Sequence, residues 1–475
     1  MRKFLPLFAA SLLLGACTLA PDYERPGAPI PQNWPSGPAY GEAAEKGVDL
    51  AELGWRDFFL SDAMRGLIEQ ALENNRDLRE AVLNVERARA LYRVQRAELL
   101  PAIRGEGNMA RERIPGDLSG TGQPVTGTRY GVQASVAAYE LDLFGRVQSL
   151  NERALRDYFA TEEARRAAQI TLIAEVANAY LTLKADQRLL KLTEETLAAQ
   201  EDSYKLIQMS FDRGVSSKLE LAQAQTAVET ARVNSYAFVR QVAQDRNALA
   251  LLVGAPIDET ALDDAQGIEN LIADLPVGLP SDLLENRPDI RQAEHLLRGA
   301  NANIGAARAA FFPRIALTAS GGTASSSLSG LFEPGSGAWS FMPQISIPIF
   351  EGGKNLANLR AAEVEREIHI ARYEGAIQTA FREVADALAG QGTYEGQVAA
   401  QRALVEATAE SYALAERRYR SGIDSYLTLL DAQRSLYAAQ QELIRIQLAQ
   451  VSNTVNLYKV LGGGGLEHTT EEAAQ

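Results

Sequence analysis

The sequence predicts an α+β protein in which a unit of two strands and one very long helix occurs twice. Residues 75–78 (Asn-Arg-Asp-Leu) recur 212 residues later at 287–290 (Arg-Pro-Asp-Ile). Residues 252–254 (Leu-Val-Gly) recur at a slightly shorter offset at 460–462 (Val-Leu-Gly). Residues 146–213 contain neither Gly nor Pro, which favours one uninterrupted helix. Since a strand pair and a helix cannot bury their apolar faces alone, the two repeats are expected to pack together.

Four segments have the period-two pattern of β-strands, at about 101–112, 128–140, 313–325 and 338–350. In the second segment Tyr130, Val132 and Val136 share one face, whereas Gln133 and Ser135 share the other. One apolar and one small polar face is typical of a membrane barrel with a water-filled lumen. The half-buried strands of a β-sandwich would show a similar alternation.

Four strands are too few to close a barrel with a lumen, because known barrels begin at about eight strands. A barrel therefore requires several chains, and the residues alone do not fix how many. No segment has enough consecutive apolar residues for a transmembrane helix, so a chain of this kind could cross a membrane only as a closed β-barrel.

Helices are predicted on both sides of the strands. The first runs from about Asp62 to Glu98, where Pro101 ends it. The helix over 146–213 would be about 100 Å long at about 1.5 Å per residue. In its counterpart in the second repeat, glycines at three closely spaced positions predict a bend or a flexible section: Gly390, Gly392 and Gly396. The heptad spacing of apolar residues in these helices suits a coiled-coil seam and an antiparallel bundle equally well.

Each long helix is followed by a glycine-containing turn, with Gly214 in the first repeat and Gly422 in the second. Shorter helices follow at about 218–252 and 426–461 and must run back antiparallel to the long ones. Both turns are therefore expected at the same end of the molecule.

These patterns predict six segments along the chain. They are a signal peptide (1–16), an extended N-terminal segment (17–60), the first repeat (61–254), a linker (255–281), the second repeat (282–462) and a disordered tail (463–475).

The N-terminus has the pattern of a lipoprotein signal. Arg2 and Lys3 precede a short apolar run that ends in Leu-Gly-Ala at residues 14–16, followed by Cys17, the single cysteine of the chain. This resembles the lipobox of bacterial lipoproteins, in which the cysteine is acylated and becomes the new N-terminus. Thr18 stands where an aspartate would, by the same resemblance, retain the protein in the inner membrane, so outer-membrane sorting is expected.

Composition excludes several function classes. The formal net charge is −14, and no basic cluster is present, which argues against nucleic acid as a partner. The three histidines lack a second His or Cys at metal-ligand spacing, and no phosphate-binding loop or catalytic constellation is evident. We therefore expect no enzymatic activity, no metal and no cofactor other than a covalent lipid on Cys17.

From Leu14 to Gly465 the chain resembles the outer-membrane factors of tripartite efflux pumps, the TolC-like proteins, and most closely the lipidated OprM type. Four stretches carry the resemblance: 139–147 (YELDLFGRV), 287–295 (RPDIRQAEH), 304–313 (IGAARAAFFP) and 429–434 (LLDAQR). The resemblance implies a homotrimer, in which three chains form a 12-stranded transmembrane β-barrel that continues as a long periplasmic α-helical barrel.

The resemblance also implies a gate at the helix turns. Tyr419 and Arg420 match the family's gate-link positions, Glu220 matches the acidic partner on the other helix pair, and Asp431 matches a carboxylate that lines the aperture. Leu427, near the turn, could form an apolar constriction beside it. On charge pattern alone, these would be solvated residues at helix ends.

The expected function is that of a passive outer-membrane exit duct for drugs or small toxic compounds. Its expected partners are a periplasmic adaptor, an inner-membrane pump of the proton-driven resistance-nodulation-division class, and outer-membrane lipid. Two alternatives remain, an exit duct for type I protein secretion and a non-conducting coiled-coil scaffold of the envelope.

Overall fold

A computed structural model describes residues 18–31, 33–40, 52–258, 262, 267–273 and 286–469. The predicted signal peptide and Cys17 lie outside these residues. Among the described helices, none combines the length and the apolar character needed to cross a membrane.

A short helix, α1 (Trp55–Phe58), precedes the first repeat, which contains four α-helices and two strands. They are α2 (Asp62–Asn74), α3 (Arg76–Ala97), β1 (Ile103–Ile114), β2 (Val125–Leu141), α4 (Arg146–Asp212) and α5 (Lys218–Val253). The second repeat follows the same order from its first helix onward. Its elements are α6 (Pro288–Ala309), β3 (Arg314–Ser325), β4 (Gly337–Ser346), α7 (Lys354–Arg420) and α8 (Tyr426–Val460). The predicted α+β duplication is confirmed, and α4 and α7 have 67 residues each.

The chain divides into two compact units. One contains the four strands with the adjoining helix ends, in residues 84–162 and 292–374 and the described residues up to 27. The other contains residues 28–83, 163–291 and 375–475 as far as they are described, including the two turns.

The four strands form one antiparallel sheet in the order β1-β2-β3-β4. Directly paired residues point to the same side of an antiparallel sheet, so the register defines two faces. On one face Val132 lies between Gly107 and Thr323, and on the other Gln133 lies between Glu106 and Gly322. We call the face that carries Val132 the outward face and the face that carries Gln133 the inward face. Successive residues of β2 alternate between the two faces, as the sequence predicted. A bulge between Val136 and Tyr139 interrupts the register near the helix end of β2.

The predicted first helix is wrong in one respect, because it is broken into α2 and α3 at Asn75. Asn75 has extended backbone angles (φ −61°, ψ 133°), and its Oδ1 accepts from the Leu78 amide at 2.9 Å. Its Nδ2 donates to the carbonyl of Leu252 at 2.8 Å. The Asn75 side chain thus caps the start of α3 and binds α5. These two hydrogen bonds offset the backbone hydrogen bonds that are lost where the helix is interrupted.

The second-repeat glycines, at which a bend or a flexible section was expected, do not interrupt α7, which is continuous through them. Gly390 serves close packing. A β-carbon there would lie 2.5 Å from Oδ1 of Asn453 on α8. The Asn453 amide also donates to the carbonyl of Ala387 at 2.9 Å. The glycine lets the two helices approach each other.

This difference between glycines is testable. Gly390→Ala is expected to lower the free energy of unfolding by ~1–2 kcal/mol, because the new methyl group displaces Asn453. Gly396→Ala is the matched control, since a methyl group there would meet no atom within 4 Å beyond its own stretch of helix. It is expected to leave stability unchanged or raise it by up to ~1 kcal/mol, as Ala is the better helix former. Chemical denaturation measures both, and equal effects would contradict the packing role.

The tail was predicted to be disordered from residue 463, which is wrong as far as residue 469. The backbone amides of Trp55 and Arg56 donate to the carbonyls of Leu466 and Glu467 at 3.0 and 3.1 Å. The Arg56 side chain also pairs with Glu467 at 2.6 Å. These bonds fix the segment after α8 against α1, and residues 470–475 lie outside the described part.

The N-terminal segment was predicted to run extended over the body of the protein. Residues 18–31 and 33–40 form no helix or strand. Glu294 on α6 holds the segment, because its carboxylate accepts from Tyr23 and pairs with Arg25 at 3.0 Å. Asn301 of the same helix donates to the carbonyl of Pro21 at 2.8 Å.

A pair of acids links α4 to α5. Asp245 on α5 is buried and accepts from Gln241 at 3.0 Å, and Asp186 on α4 lies next to it. Burial, followed by hydrogen bonding to Asp245 and the charge of Asp245, raises the pKa of Asp186 from 3.8 to about 6, although Arg445 on α8 opposes the shift. Asp186 is therefore expected to keep its proton below about pH 6.

This pair is expected to make stability fall as pH rises. The folded protein binds the proton more tightly than the unfolded chain does. The stabilisation that this proton gives is therefore fully present below the unfolded pKa of 3.8, and it is lost as pH rises through about 6. Asp186→Asn should therefore raise the denaturation midpoint at pH 7.5 and change it less at pH 4.5. Glu194→Gln, an exposed change on the same helix, is the control. A pH-independent effect of Asp186→Asn would contradict the raised pKa of Asp186.

Candidate gate at the helix turns

Two glycine turns join the long helices to the short ones. Gly214 and Gly422 adopt left-handed backbone angles (φ 74° and 71°) that favour glycine. The amide of the residue after each glycine reaches back to the helix: Val215 donates to Ser210 at 2.9 Å and Ile423 to Arg418 at 3.0 Å. These bonds satisfy carbonyls that the helix end leaves open, so both turns end their helices in the same way.

The two turns lie side by side, as predicted, because one apolar cluster joins the four helices that enter and leave them. Its buried members are Ile207, Leu221, Ala224, Ala227, Ala415, Tyr426, Leu429 and Leu430. Tyr204, Phe211, Tyr412, Tyr419 and Ala432 pack against it. The polar residues near the turns are therefore mounted on a common apolar base.

The structure brings two of the predicted gate residues together. Tyr419 is half-buried on the cluster, and its ring centroid lies 5.7 Å from that of Tyr426. Burial, and then the charge of Glu220, raise the pKa of Tyr419 above its usual value. Glu220 of the first repeat is thus close enough to Tyr419 of the second repeat to act on it electrostatically.

Arg420 and Glu220 are not paired within the chain. The Arg420 guanidinium pairs with Glu416, one turn back on α7, at 2.7 Å, and its side chain is 72% exposed. Glu220 instead caps its own helix, where its Oε2 accepts from the Ser217 amide at 2.7 Å and its amide donates to the Ser217 hydroxyl. Arg420 therefore keeps exposed N–H groups available for a partner outside the chain.

Asp431 and Leu427 lie on the exposed side of α8, one helical turn apart. Leu427 is 48% exposed. Asp431 makes no hydrogen bond or ion pair with any residue in the described ranges, so its carboxylate is open to solvent. The opposite side of the helix carries Leu429 and Leu430 into the apolar cluster.

Sequence reasoning missed two features of the turns. Arg418 clamps Asp424 through two hydrogen bonds of 2.6 and 2.9 Å, which lowers the pKa of that carboxyl. Its counterparts in the first turn are Ser210 and Ser216, so only the second turn carries this clamp. The signal was an opposite-charge pair six residues apart across a glycine turn.

The second missed feature is Tyr426, the first residue of α8. It is 2% exposed, and its hydroxyl has no hydrogen-bond partner among the described residues. Burial, and then the neighbouring Tyr419, raise its pKa to about 12. An aromatic residue at a helix start gives no sequence signal of such burial.

Within the described residues, no group of three or more His, Cys, Asp or Glu side chains is placed to hold a metal ion. The turn region therefore offers polar links, one exposed carboxylate and an apolar side chain. These groups can hold helices together or release them, and they can set the charge of an opening.

A family model described as "Outer membrane efflux protein" matches residues 67–255 and 279–463, one match for each repeat. The chain is 51% identical over 474 residues to the probable efflux pump outer membrane protein TtgC of Pseudomonas putida, covering 100% of this chain and 98% of the relative. It is 46% identical over 470 residues to the outer membrane protein OprJ of Pseudomonas aeruginosa, covering 98% and 97%.

Solved structures have the same fold. A membrane protein from Pseudomonas aeruginosa superposes with a TM-score of 0.88 at 44% identity, covering 94% of this chain and all of that one. The open state of the Neisseria gonorrhoeae MtrE outer membrane channel superposes with a TM-score of 0.86 at 39% identity, covering 96% and 100%. These relatives are named as efflux and channel proteins rather than as enzymes. The chain belongs to the outer membrane efflux protein family, the TolC-like family that its sequence resembles, and is a protein of the outer membrane.

Proposed function

We propose that this chain forms the passive exit duct of a tripartite multidrug efflux pump. The observation that carries the proposal is the two-faced sheet joined, in the same chain, to helices that end in paired polar turns. Apolar residues on the outward face suit lipid, and small polar residues on the inward face suit water. Relatives named for efflux of toluene, solvents and antibiotics favour small toxic compounds over proteins as cargo.

The duct is a homotrimer in this proposal. β1 and β4 are the edge strands of the four-stranded sheet and pair with nothing on their outer sides among the described residues. Exposed edges favour pairing with another chain. Three copies joined β1 to β4 would close a 12-stranded barrel, and their helices would continue it as an α-helical barrel in the periplasm.

A periplasmic adaptor and a proton-driven inner-membrane pump of the resistance-nodulation-division class complete the assembly. A pump subunit elsewhere must supply energy, because the sequence has no nucleotide-binding loop.

The gate consists of Tyr419, Arg420, Glu220, Asp431 and Leu427 in this proposal. The bond between Arg420 and Glu416 leaves other N–H groups of the guanidinium exposed, so Arg420 can link to a neighbouring copy. Three copies of Asp431 around one axis would form an anionic ring that favours cationic solutes. Leu427 would narrow the same opening.

Deleting the gene and restoring it tests the function. Loss of resistance to solvents and antibiotics, restored by the wild-type chain, is the expected result. Loss of a secreted protein with unchanged resistance would instead assign the duct to protein secretion.

Lipidation of Cys17 gives a separate prediction. Mass spectrometry of the mature protein should find acyl chains on an N-terminal Cys17. Cys17→Ser is expected to abolish this modification, because no other cysteine is present. Cys17→Ser protein that still carries the acyl mass would contradict the assignment.

A further inference from the structure

The outward face of the sheet carries an unusual distribution of charge. Register pairs place Arg111 opposite Thr128 and Arg113 opposite Thr126 on this face. All the carboxylates of the four strands lie on the inward face: Glu106, Glu112 and Glu140. The outward face therefore carries two arginines at adjacent outward positions and no acid among the described strand residues.

These arginines lie at the loop end of the sheet, just before the connection from β1 to β2. Moving along β1 away from the helix end, the last four outward residues are Gly107, Met109, Arg111 and Arg113. Met109 pairs with Tyr130, an aromatic residue of the kind that marks the membrane–water interface in such barrels. The two arginines follow at steps of about 7 Å along the strand, so they lie beyond that aromatic level, where lipid headgroups begin.

Neither arginine is neutralised. Arg111 and Arg113 are exposed and make no ion pair or hydrogen bond with any residue of the described ranges. Two arginines at the other end of the sheet, Arg146 and Arg314, differ, since Glu140 pairs with them at 2.8 and 2.6 Å. In the proposed barrel the neighbour of β1 would be β4 of the next copy, which contains no acidic residue.

We propose that Arg111 and Arg113 of each copy bind the phosphate groups of a glycolipid in the outer leaflet of the membrane. This inference rests on the proposed function, because it requires the outward face to meet lipid and the loop end to face outside. A guanidinium forms two parallel hydrogen bonds to a phosphate, and two neighbouring guanidinium groups suit a headgroup with two phosphates. Phospholipid of the inner leaflet would meet the other end of the outward face, which carries no arginine among the described strand residues.

The test measures lipid retention by the purified full-length channel in detergent with EDTA, using native mass spectrometry. The probes are bisphosphorylated lipid A, the same glycolipid without its phosphates, and phosphatidylglycerol. The double variant Arg111→Gln/Arg113→Gln is compared with Arg129→Gln, an inward-facing arginine that pairs with Ala110 one strand away.

The double variant should bind lipid A about tenfold or more weakly, because charge-assisted hydrogen bonds are lost. The Arg129→Gln variant should bind lipid A as tightly as the wild type does. The wild type should bind the dephosphorylated glycolipid only weakly, no better than the double variant binds lipid A. Equal binding of lipid A by the double variant and the wild type would overturn the site. If the wild type retained phosphatidylglycerol as well as lipid A, the choice of a glycolipid as the ligand would be overturned.

Conductance in planar bilayers, measured on the same preparations, separates this inference from the function on which it rests. If the wild type and the double variant both conduct and retain lipid A equally, only the proposed lipid site is overturned. A wild type that does not conduct would overturn the proposed duct and the lipid site with it.

Discussion

Tyr419→Phe combined with Arg420→Ser is expected to raise single-channel conductance several-fold in planar bilayers. The substitutions remove the hydroxyl and the guanidinium that would hold the turns of neighbouring helices together. Both side chains lie at the end of α7, where Tyr419 rests on the apolar cluster and Arg420 is largely exposed. Without these proposed hydrogen bonds, the helices that would narrow the opening would lose polar links while their apolar base remains.

The control for this effect is Arg417→Ser. Arg417 belongs to the same last turn of α7 and is exposed, but it donates to the carbonyl of Ala413 in its own helix. Its loss removes the same charge without removing a proposed link, so conductance should stay near that of the wild type. Unchanged conductance in the double variant, or an equal rise in Arg417→Ser, would remove Tyr419 and Arg420 from the gate.

Val132→Arg is expected to prevent stable insertion, whereas Gln133→Arg is expected to be tolerated. Val132 lies on the outward face near the middle of β2, and Gln133, its neighbour in sequence, lies on the inward face. A charge on the lipid side of a barrel costs ~2–4 kcal/mol per chain at mid-membrane depth and less toward the interface, and an assembly of three copies would bear the cost at Val132 three times. A charge on the lumen side remains hydrated.

Heat-modifiable mobility of the outer-membrane fraction and conductance measure this contrast. Gln133→Arg should assemble and shift ion selectivity toward anions, because it adds a positive charge to the lumen. Val132→Arg should yield little assembled protein. Normal assembly of Val132→Arg together with loss of Gln133→Arg would mean that the two faces of the sheet are assigned in the wrong sense.

The strands and long helices could be predicted because their signals are periodic and local. The absence of Gly and Pro from 146–213 led to the bounds of α4 within one residue. The alternation around Tyr130 and Val132 led to the faces of β2. Both features follow from the geometry of a single element and need no knowledge of its neighbours.

The errors arose where a tertiary contact decides the local structure. Asn75 breaks a helix because its amide reaches Leu252, far away in sequence. Gly390 does not interrupt α7, and the lack of a side chain there leaves room for Asn453 of α8. The segment after α8 is fixed because the carbonyls of residues 466 and 467 accept from backbone amides of α1. A single sequence shows the residue in each case, but not its partner.

The placement of the two turns could be predicted from the sequence, but the bonds of the residues around them could not. Turn chemistry predicted where Gly214 and Gly422 would lie, and the resemblance selected Tyr419 and Arg420. The competing partners were not foreseen, because Glu220 serves as a helix cap and Arg420 has Glu416 one turn away. Such short-range competition depends on rotamers that the residue pattern does not encode.

The central claim is that separate copies of this chain combine their four-stranded sheets into one channel. Electron cryo-microscopy of the purified full-length protein in lipid nanodiscs tests it most directly. The account predicts threefold symmetry, twelve strands within the disc and β1 of each copy paired with β4 of the next. Particles with one copy, or copies whose sheets close separately, would contradict it.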